Sequence, residues 1–468
     1  MKIQSNDFIA LSDISITNQD VPKAVRKGTQ TAFNNRITAM SRVSMEHGEA
    51  LRQQAAEAKR RALRQLPDLL EEAERNLTQN GFTVLWAADA EEARQQVLEL
   101  TRKHGTKSII KSKSMVTEEI ALNDVLIESG LHVVETDLGE YILQLNDETP
   151  SHVIAPVIHK SKDSIREIFQ RELNMPYIED AEGMVAFVRA KLREDFLEAD
   201  MGISGGNFVI AESGSLALVM NEGNGRMVTS LPKVHIAVVG IEKVIANLAD
   251  YATLTQILPR SGTGQQMAVY TNIVNSVCED GGPEHLYIIF LDNGRSDIYI
   301  NEKYTEALAC IRCGACLNGC PVYRSTGGHA YGWVYSGPIG AVITPLLQGI
   351  DHATPLPNAS SLCGMCKSVC PVDINLPRML LELRHDIVEK RLSGFQWDAG
   401  IKAWQVVNRS PRLFEMGGRM ARLVLRTGVD RLVPNPLGYW KKYRDFPGFA
   451  PKSFRQQWRE HQKGQSDE

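Results

Sequence analysis

Apolar residues recur with two different periods along the chain, and the periods divide it. From about Met45, the residues Ala50, Leu51, Ala55, Ala58, Ala62 and Leu63 return at three- and four-residue spacing among Gln, Glu, Lys and Arg, which predicts a helix. Pro67 interrupts that pattern and suits the first turn of a second helix, which Asn80-Gly81 would close with a left-handed glycine cap. Residues 1–44 are polar with weak periodicity and read as an arm or short helices. Between 82 and 300, short apolar runs alternate with amphipathic stretches. Strands are predicted at Phe82–Trp86, Lys107–Ile110, His132–Glu135, His152–Ile158, Gly206–Ile210, Ser215–Met220, His235–Val239 and Leu286–Leu291. Helices are predicted at Asp89–His104 and at Thr117–Ser129, the latter opened by Thr117. Such alternation implies a mostly parallel sheet with helices on both faces.

Strand patterns stop after residue 300, and Gly, Cys and Pro become dense as far as 377. Residues 378–468 are helical and basic, then aromatic: Trp440, Tyr443, Phe446, Phe449, Phe454 and Trp458. The chain of 468 residues, 43% hydrophobic and 23% charged, falls in the ordinary globular range and not among disordered or fibrous chains. No apolar run approaches the roughly 20 residues of a membrane span, and Asp13 interrupts any secretory h-region, so a cytoplasmic location is expected. A net charge of −4 hides an imbalance: residues 378–468 carry 18 Lys+Arg against 10 Asp+Glu. The basic end is local, so wholesale nucleic-acid binding is not expected.

Eight cysteines change the picture, because seven lie between 310 and 370. Clustered cysteines in a cytosolic chain point to metal or redox chemistry rather than disulfides. The run Cys310-Ile-Arg-Cys313-Gly-Ala-Cys316-Leu-Asn-Gly-Cys320-Pro321 has the C-x2-C-x2-C-x3-C-P spacing of bacterial ferredoxins, in which the fourth cysteine ligates the other cluster. The second run, Cys363-Gly-Met-Cys366-Lys-Ser-Val-Cys370-Pro371, lacks the first cysteine; counting back, that position is Ser360. Crossed ligation assigns Cys310, Cys313, Cys316 and Cys370 to cluster one, a [4Fe–4S] centre, and Cys320, Cys363 and Cys366 to cluster two. Three outcomes are open for cluster two: a [4Fe–4S] centre with water or Ser360 as its fourth ligand, a [3Fe–4S] centre, or a [4Fe–4S] centre that loses iron in air. The reading adopted is a labile [4Fe–4S] centre. Zinc is the alternative, but seven thiolates do not divide into tetrahedral sets. Cys278 stands in no motif and reads as an incidental thiol. Arg312 and Lys367 lie inside the motifs and read as solvated side chains, while His329 reads as a supporting or surface residue rather than a ligand.

The body shows no G-x-G-x-x-G or P-loop fingerprint. Lys111 and Lys113 follow a strand at its carboxyl end, where open α/β sheets hold ligands, and with Glu212 and Asn221 they are candidates for a carboxylate site. Ordinary polar loops are the competing reading. No catalytic residue is assigned. In the basic end, Leu413, Met416, Met420, Leu423 and Val424 share a helical face ringed by Arg412, Arg419, Arg422 and Arg426. That face suits the protein's own core or, alternatively, an anionic membrane surface.

The 42-residue connection 321–362 and the helical pattern after Pro377 resemble the helical ferredoxin module of succinate dehydrogenase iron–sulfur subunits. The α/β segment resembles the LUD domain of the isomerase and CoA-transferase-like superfamily. The order of α/β segment, seven cysteines and the tail Tyr439-Trp440-Lys441-Lys442-Tyr443-Arg444-Asp445-Phe446 is similar to the lactate utilisation protein B family. This resemblance implies an N-terminal helical arm (1–80), a LUD α/β domain (81–300), an all-α ferredoxin-type iron–sulfur module (301–395) and a basic aromatic helical tail (396–468). It also implies electron transfer during oxidation of L-lactate to pyruvate, as a non-catalytic subunit. Its partners would be a cysteine-rich-domain protein and a second LUD protein, with the electron acceptor unspecified. Two other functions compete: an α/β domain that is itself catalytic on a hydroxy acid, with Lys111 or Lys113 binding the carboxylate, and an iron–sulfur redox sensor or scaffold.

Overall fold

The computed structural model describes residues 3–18, 20–42, 44–277, 281–427 and 450–466. Cys278 and the aromatic run 439–446 lie outside them. The chain divides into two compact units, 1–392 and 393–468.

Among the described residues of the first unit ten strands form: β1 (Phe82–Ala87), β2 (Ser108–Lys111), β3 (His132–Glu135), β4 (Met201–Ser204), β5 (Phe208–Ile210), β6 (Ser215–Met220), β7 (Val234–Gly240), β8 (Val244–Ile245), β9 (Tyr270–Val274) and β10 (His285–Leu291). Six of them make an all-parallel sheet in the order β1-β10-β7-β4-β2-β3. Successive side chains of a strand leave opposite faces, and the buried residues sort accordingly. Leu286, Ile288 and Phe290 of β10 join Ala237 and Val239 of β7 in one core. Tyr287, Ile289 and Leu291 join Val234, Ile236 and Val238 in another, under the helix Ala90–Lys103. The fold is α/β with a parallel sheet, followed by a helical ferredoxin-like module. The first core continues without a break from the sheet into the cysteine segment, taking in Cys313, Cys316, Cys320, Cys366 and Cys370.

Four expectations need correction. The apolar run His152–Ile158 is not a strand: His152 Nδ1 accepts the N–H groups of Ile154 and Ala155, and the Ser151 N–H reaches the Pro156 carbonyl, so the segment closes into a loop. Strands β5 and β6 leave the main sheet for a second, mixed one of order β8-β5-β6-β9. The helix read from Thr117 begins at Met115, capped by Ser114, and breaks where Ala121 turns left-handed before Leu122–Glu128. The weakly periodic start contains a 22-residue helix, Asp20–Ser41, that buries only Val25, Thr29, Ala39 and Met40.

One ionic knot joins the sheet to the cysteine module. Arg295, in the short helix after β10, forks onto Glu119 at 2.8 Å and reaches Glu242 beyond β7 at 2.7 Å, all three fully buried. The Tyr335 hydroxyl donates to Glu119 at 2.7 Å, and Arg312 lies over the Tyr335 ring at 4.5 Å. A Cβ at Gly240 would stand 2.1 Å from a Glu242 oxygen, so only glycine fits there.

In the second unit, the helix Phe395–Asn408 packs on Pro411–Thr427, which is tied to Phe454–Ser466 by an Arg459–Glu415 ion pair at 2.8 Å and by Arg455 over Phe414. The face read as packed on the protein's own core shows Met416, Met420 and Leu423 largely exposed. The side chains of Val424 and Arg426 lie outside the described residues. Among those described, no helix is long and apolar enough to cross a membrane.

Arg295→Met would take from two buried carboxylates the cation that they share, a loss of about 3–5 kcal/mol. Thermal unfolding followed by circular dichroism should register a fall in Tm of many degrees; a shift below about 1 °C would remove the knot from the stability of the fold.

Candidate iron–sulfur site

The two cysteine runs fold into the same turn. Cys310 ends a 3-10 helix at Thr305–Ala309, and its Sγ accepts the Arg312 N–H at 3.4 Å. Arg312 and Gly314 have φ of +58° and +70°, and the helix Ala315–Gly319 then carries Cys316. Fifty residues on, Ser360 Oγ accepts the Leu362 N–H at 3.1 Å. Leu362 and Gly364 have φ of +53° and +81°, and the helix Met365–Ser368 carries Cys366. Ser360 thus holds the place of Cys310, position for position, and the two short helices pack on each other. Gly319, which has no side chain, lets Met365 come close.

The thiols sort into two groups by whose charge each one feels. Burial raises Cys313, and Cys370 and Cys310 raise it further. Cys316 is raised by burial and by Cys310, Cys313, Cys366 and Cys370. Cys370 is pushed up to about 12, chiefly by burial, with Cys310 adding to it. On the other side, burial and Cys363 raise Cys320, while burial, Cys320 and Cys363 push Cys366 to about 11. Cys316 also feels Cys366, which makes the two groups neighbours. Backbone N–H groups converge as well: Tyr323 donates to Cys320 Sγ at 3.5 Å and Ile374 to Cys370 Sγ at 3.3 Å.

Sulfurs held this way carry a cost that a metal relieves, because a thiolate ligand must lose its proton and buried neighbours resist that. Among the described residues, no three His, Cys, Asp or Glu side chains converge tightly enough for one ion. A cubane takes one thiolate per iron, so its sulfurs need not meet at a point. The residues therefore fit iron–sulfur cubes: four cysteines on one side, and three with Ser360 on the other.

Several participants carry no sequence signal. Arg36 and Arg52 come from the N-terminal helices, sixteen residues apart. Arg36 donates to the Val369 carbonyl and feels the charge of Cys313 and Cys370; Arg52 donates to the Cys370 carbonyl at 2.7 Å and pairs with Asp373. Arg312, read as solvated, has a side chain only 9% exposed, held between the Tyr335 ring and Glu242. Lys367 is exposed. His329 meets the Thr149 carbonyl at 2.8 Å and the His159 ring, a loop-holding role.

The carboxylate candidates separate. Lys111 is buried and consumed by Glu135 at 2.5 Å and Glu118 at 3.1 Å, and Glu212 caps the helix at Leu248. Lys113 and Asn221 do line a cavity of about 520 Å³ at the carboxyl ends of β2, β3, β4 and β7, together with Ser112, Glu222, Lys243 and Arg312. Burial first, then Asp137, raises Glu222 to about 7; burial lowers Lys243 to about 8.

An α/β body joined to a module of two cubane-type cysteine sets defines the class. Residues 70–291 match the LUD domain, 306–374 the 4Fe-4S dicluster domain, and 397–463 the domain described as lactate utilisation protein B, C-terminal. The chain is 41% identical to lactate utilization protein B 1 of Bacillus mycoides over 100% of this chain and 98% of that one. It is 41% identical to lactate utilization protein B of Bacillus velezensis over the whole of both. It is 40% identical to the uncharacterized electron transport protein YkgF of Escherichia coli, over 99% of this chain and 98% of that one. A solved DUF162 family protein from Deinococcus radiodurans is 13% identical with a TM-score of 0.26, over 48% of this chain and 98% of that one. The chain belongs to the lactate utilisation protein B family.

Gly314→Ala and Gly364→Ala separate strain from fit. Both residues are left-handed, which costs a non-glycine residue about 1–2 kcal/mol. Only at Gly314 would the new Cβ also strike a neighbour, His152 at 2.9 Å. Thermal unfolding should therefore show the larger loss for Gly314→Ala; equal losses would contradict the close approach of His152.

Proposed function

We propose that this chain is an electron-transfer subunit in the oxidation of L-lactate to pyruvate, acting through two [4Fe–4S] clusters. The observation that carries the reading is the repeated turn: Ser360, Leu362 and Gly364 match Cys310, Arg312 and Gly314 position for position, and the short helices that follow pack on each other. The names of the relatives supply the process: lactate utilisation for the Bacillus proteins and electron transport for the Escherichia protein.

In this reading Cys310, Cys313, Cys316 and Cys370 hold cluster one, and Cys320, Cys363 and Cys366 hold cluster two with Ser360 Oγ at its fourth corner. Bound clusters accept and release electrons one at a time at potentials set by burial, hydrogen bonds and nearby charge. The residues of the chain set those conditions. Buried Cys313, Cys316 and Cys370 keep water from the first set, and the guanidinium groups of Arg36 and Arg52 offset its negative charge. Cys363 is exposed, so a partner can approach the second set without displacing the chain. The primary oxidant is placed in a partner protein, a cysteine-rich-domain protein or a second LUD protein, with the complex in the cytoplasm.

Two substitutions test the reading. Cys310→Ser should abolish lactate-dependent growth while far-ultraviolet circular dichroism keeps the α/β signal; undiminished growth would take the clusters out of the pathway. Ser360→Cys should give cluster two a full thiolate set and slow its loss of iron in air at least several-fold, read by Mössbauer spectroscopy. An unchanged rate of loss would mean that Ser360 is not at the fourth corner.

A further inference from the structure

The cavity beside cluster one has the features of a ligand site. Its polar end is formed by the segments that follow four adjacent parallel strands: Ser112 and Lys113 after β2, Asp137 after β3, Gly205 and Asn207 after β4, and Lys243 after β7. Open parallel sheets bind ligands at that edge. At about 520 Å³ it is of cofactor or metabolite size.

Three groups in its wall have hydrogen-bonding capacity left unused, although Glu242 lies 3.9 Å from the other end of the Arg312 guanidinium. Arg312 Nη1 is buried with no hydrogen bond, and so is Ser112 Oγ. Lys243 is only 6% exposed and makes no hydrogen bond to any described residue. Donors buried without acceptors are costly and rare in native structures. Two of the three are cations, and Glu242, the carboxylate beside them, is already held by Arg295 and comes no nearer to Arg312 than 3.9 Å, so the acceptor that suits the free positions is an anion. The remaining wall is largely apolar: Ile142, Ile154, Pro156, Val157, Leu218 and Leu258. An anionic head with an apolar body matches both parts, and a bare three-carbon acid would leave most of the space unfilled.

Arg312 is the link between this cavity and the iron–sulfur site. It sits between Cys310 and Cys313, its own N–H donates to Cys310 Sγ, and its guanidinium side chain lines the cavity. From the opposite side, Gly262 at the end of the helix Leu248–Gly262 allows close approach to the Cys313 carbonyl, which a Cβ there would meet at 2.6 Å.

We infer that this cavity binds an organic anion with an apolar body, its head group held by Arg312 and Lys243, so that the ligand is sensed directly by the loop that holds cluster one. The inference rests on the cluster assignment above but not on lactate as the substrate. The head can be a carboxylate or a phosphate, and the two are distinguished by probe.

The test titrates anaerobically purified full-length holoprotein with phenylpyruvate, pyruvate, flavin mononucleotide and inorganic phosphate. Calorimetry reads binding, and EPR of the reduced protein reads cluster one. Phenylpyruvate or flavin mononucleotide should saturate one site per chain at least tenfold more tightly than pyruvate or phosphate and shift the cluster-one signal. Tight binding of phenylpyruvate identifies a carboxylate head, and tight binding of the flavin a phosphate head. Lys243→Met and Arg312→Gln should each weaken binding tenfold or more. Because Arg312→Gln can disturb the cysteine turn, Leu258→Trp fills the cavity from the far wall; it should abolish binding while leaving the cluster EPR of the unliganded protein unchanged. Failure of both organic probes to saturate, or wild-type affinity in Lys243→Met and Leu258→Trp, would overturn the inference. Loss of lactate-dependent growth plays no part in the readout, so the two readings fail separately.

Discussion

The structure turns on a charge balance sealed inside it. Arg295 is the cation that Glu119 and Glu242 share, and these three residues follow three different strands of one sheet. Burial alone would raise Glu242, yet Arg295, with Lys243 and Arg312, brings it down to about 2. The carboxylates therefore stay ionised, and the guanidinium groups must stay beside them. Arg312 belongs to the cysteine turn, and Tyr335 to the connection between the two cysteine runs. The knot consequently fixes the position of the cysteine module on the sheet, which is why one hydrophobic core runs through both.

This constraint explains the economy of the cysteine site. A small module that must bring seven sulfurs together cannot rely on its own short helices of four to six residues. It leans on the sheet through Arg312, and on the N-terminal helices through Arg36 and Arg52, whose side chains grip the carbonyls of Val369 and Cys370. The LUD body is thus a frame for the cysteines as well as the wall of a cavity. Both roles meet at Arg312, one residue before Cys313.

How far the sequence disclosed this depended on the physical basis of each signal. Cysteine spacing is set by the short turns that wrap a cube, so the pairing of the runs and the place of Ser360 could be read directly. Strand periodicity is set by burial, so His132–Glu135 and Ser215–Met220 were legible to the residue. The run His152–Ile158 is as apolar as a strand, but a histidine side chain takes up its backbone donors, and composition cannot show that. The helix Asp20–Ser41 buries too few residues, one of them Thr29, to leave a clear stripe. Arg312 looked like a surface cation because its partners, Tyr335 and Glu242, lie 23 and 70 residues away in the chain. Lys111 looked available for a ligand for the same reason: Glu135, which consumes it, comes from the neighbouring strand.

In the proposed arrangement Cys370, though it closes the second run, serves with the first. Mössbauer spectra of anaerobically prepared single variants test this most directly. Cys370→Ser and Cys313→Ser should lose the same cluster, and Cys320→Ser and Cys366→Ser should both lose the other. Spectra in which Cys370→Ser matches Cys366→Ser would contradict the crossed arrangement.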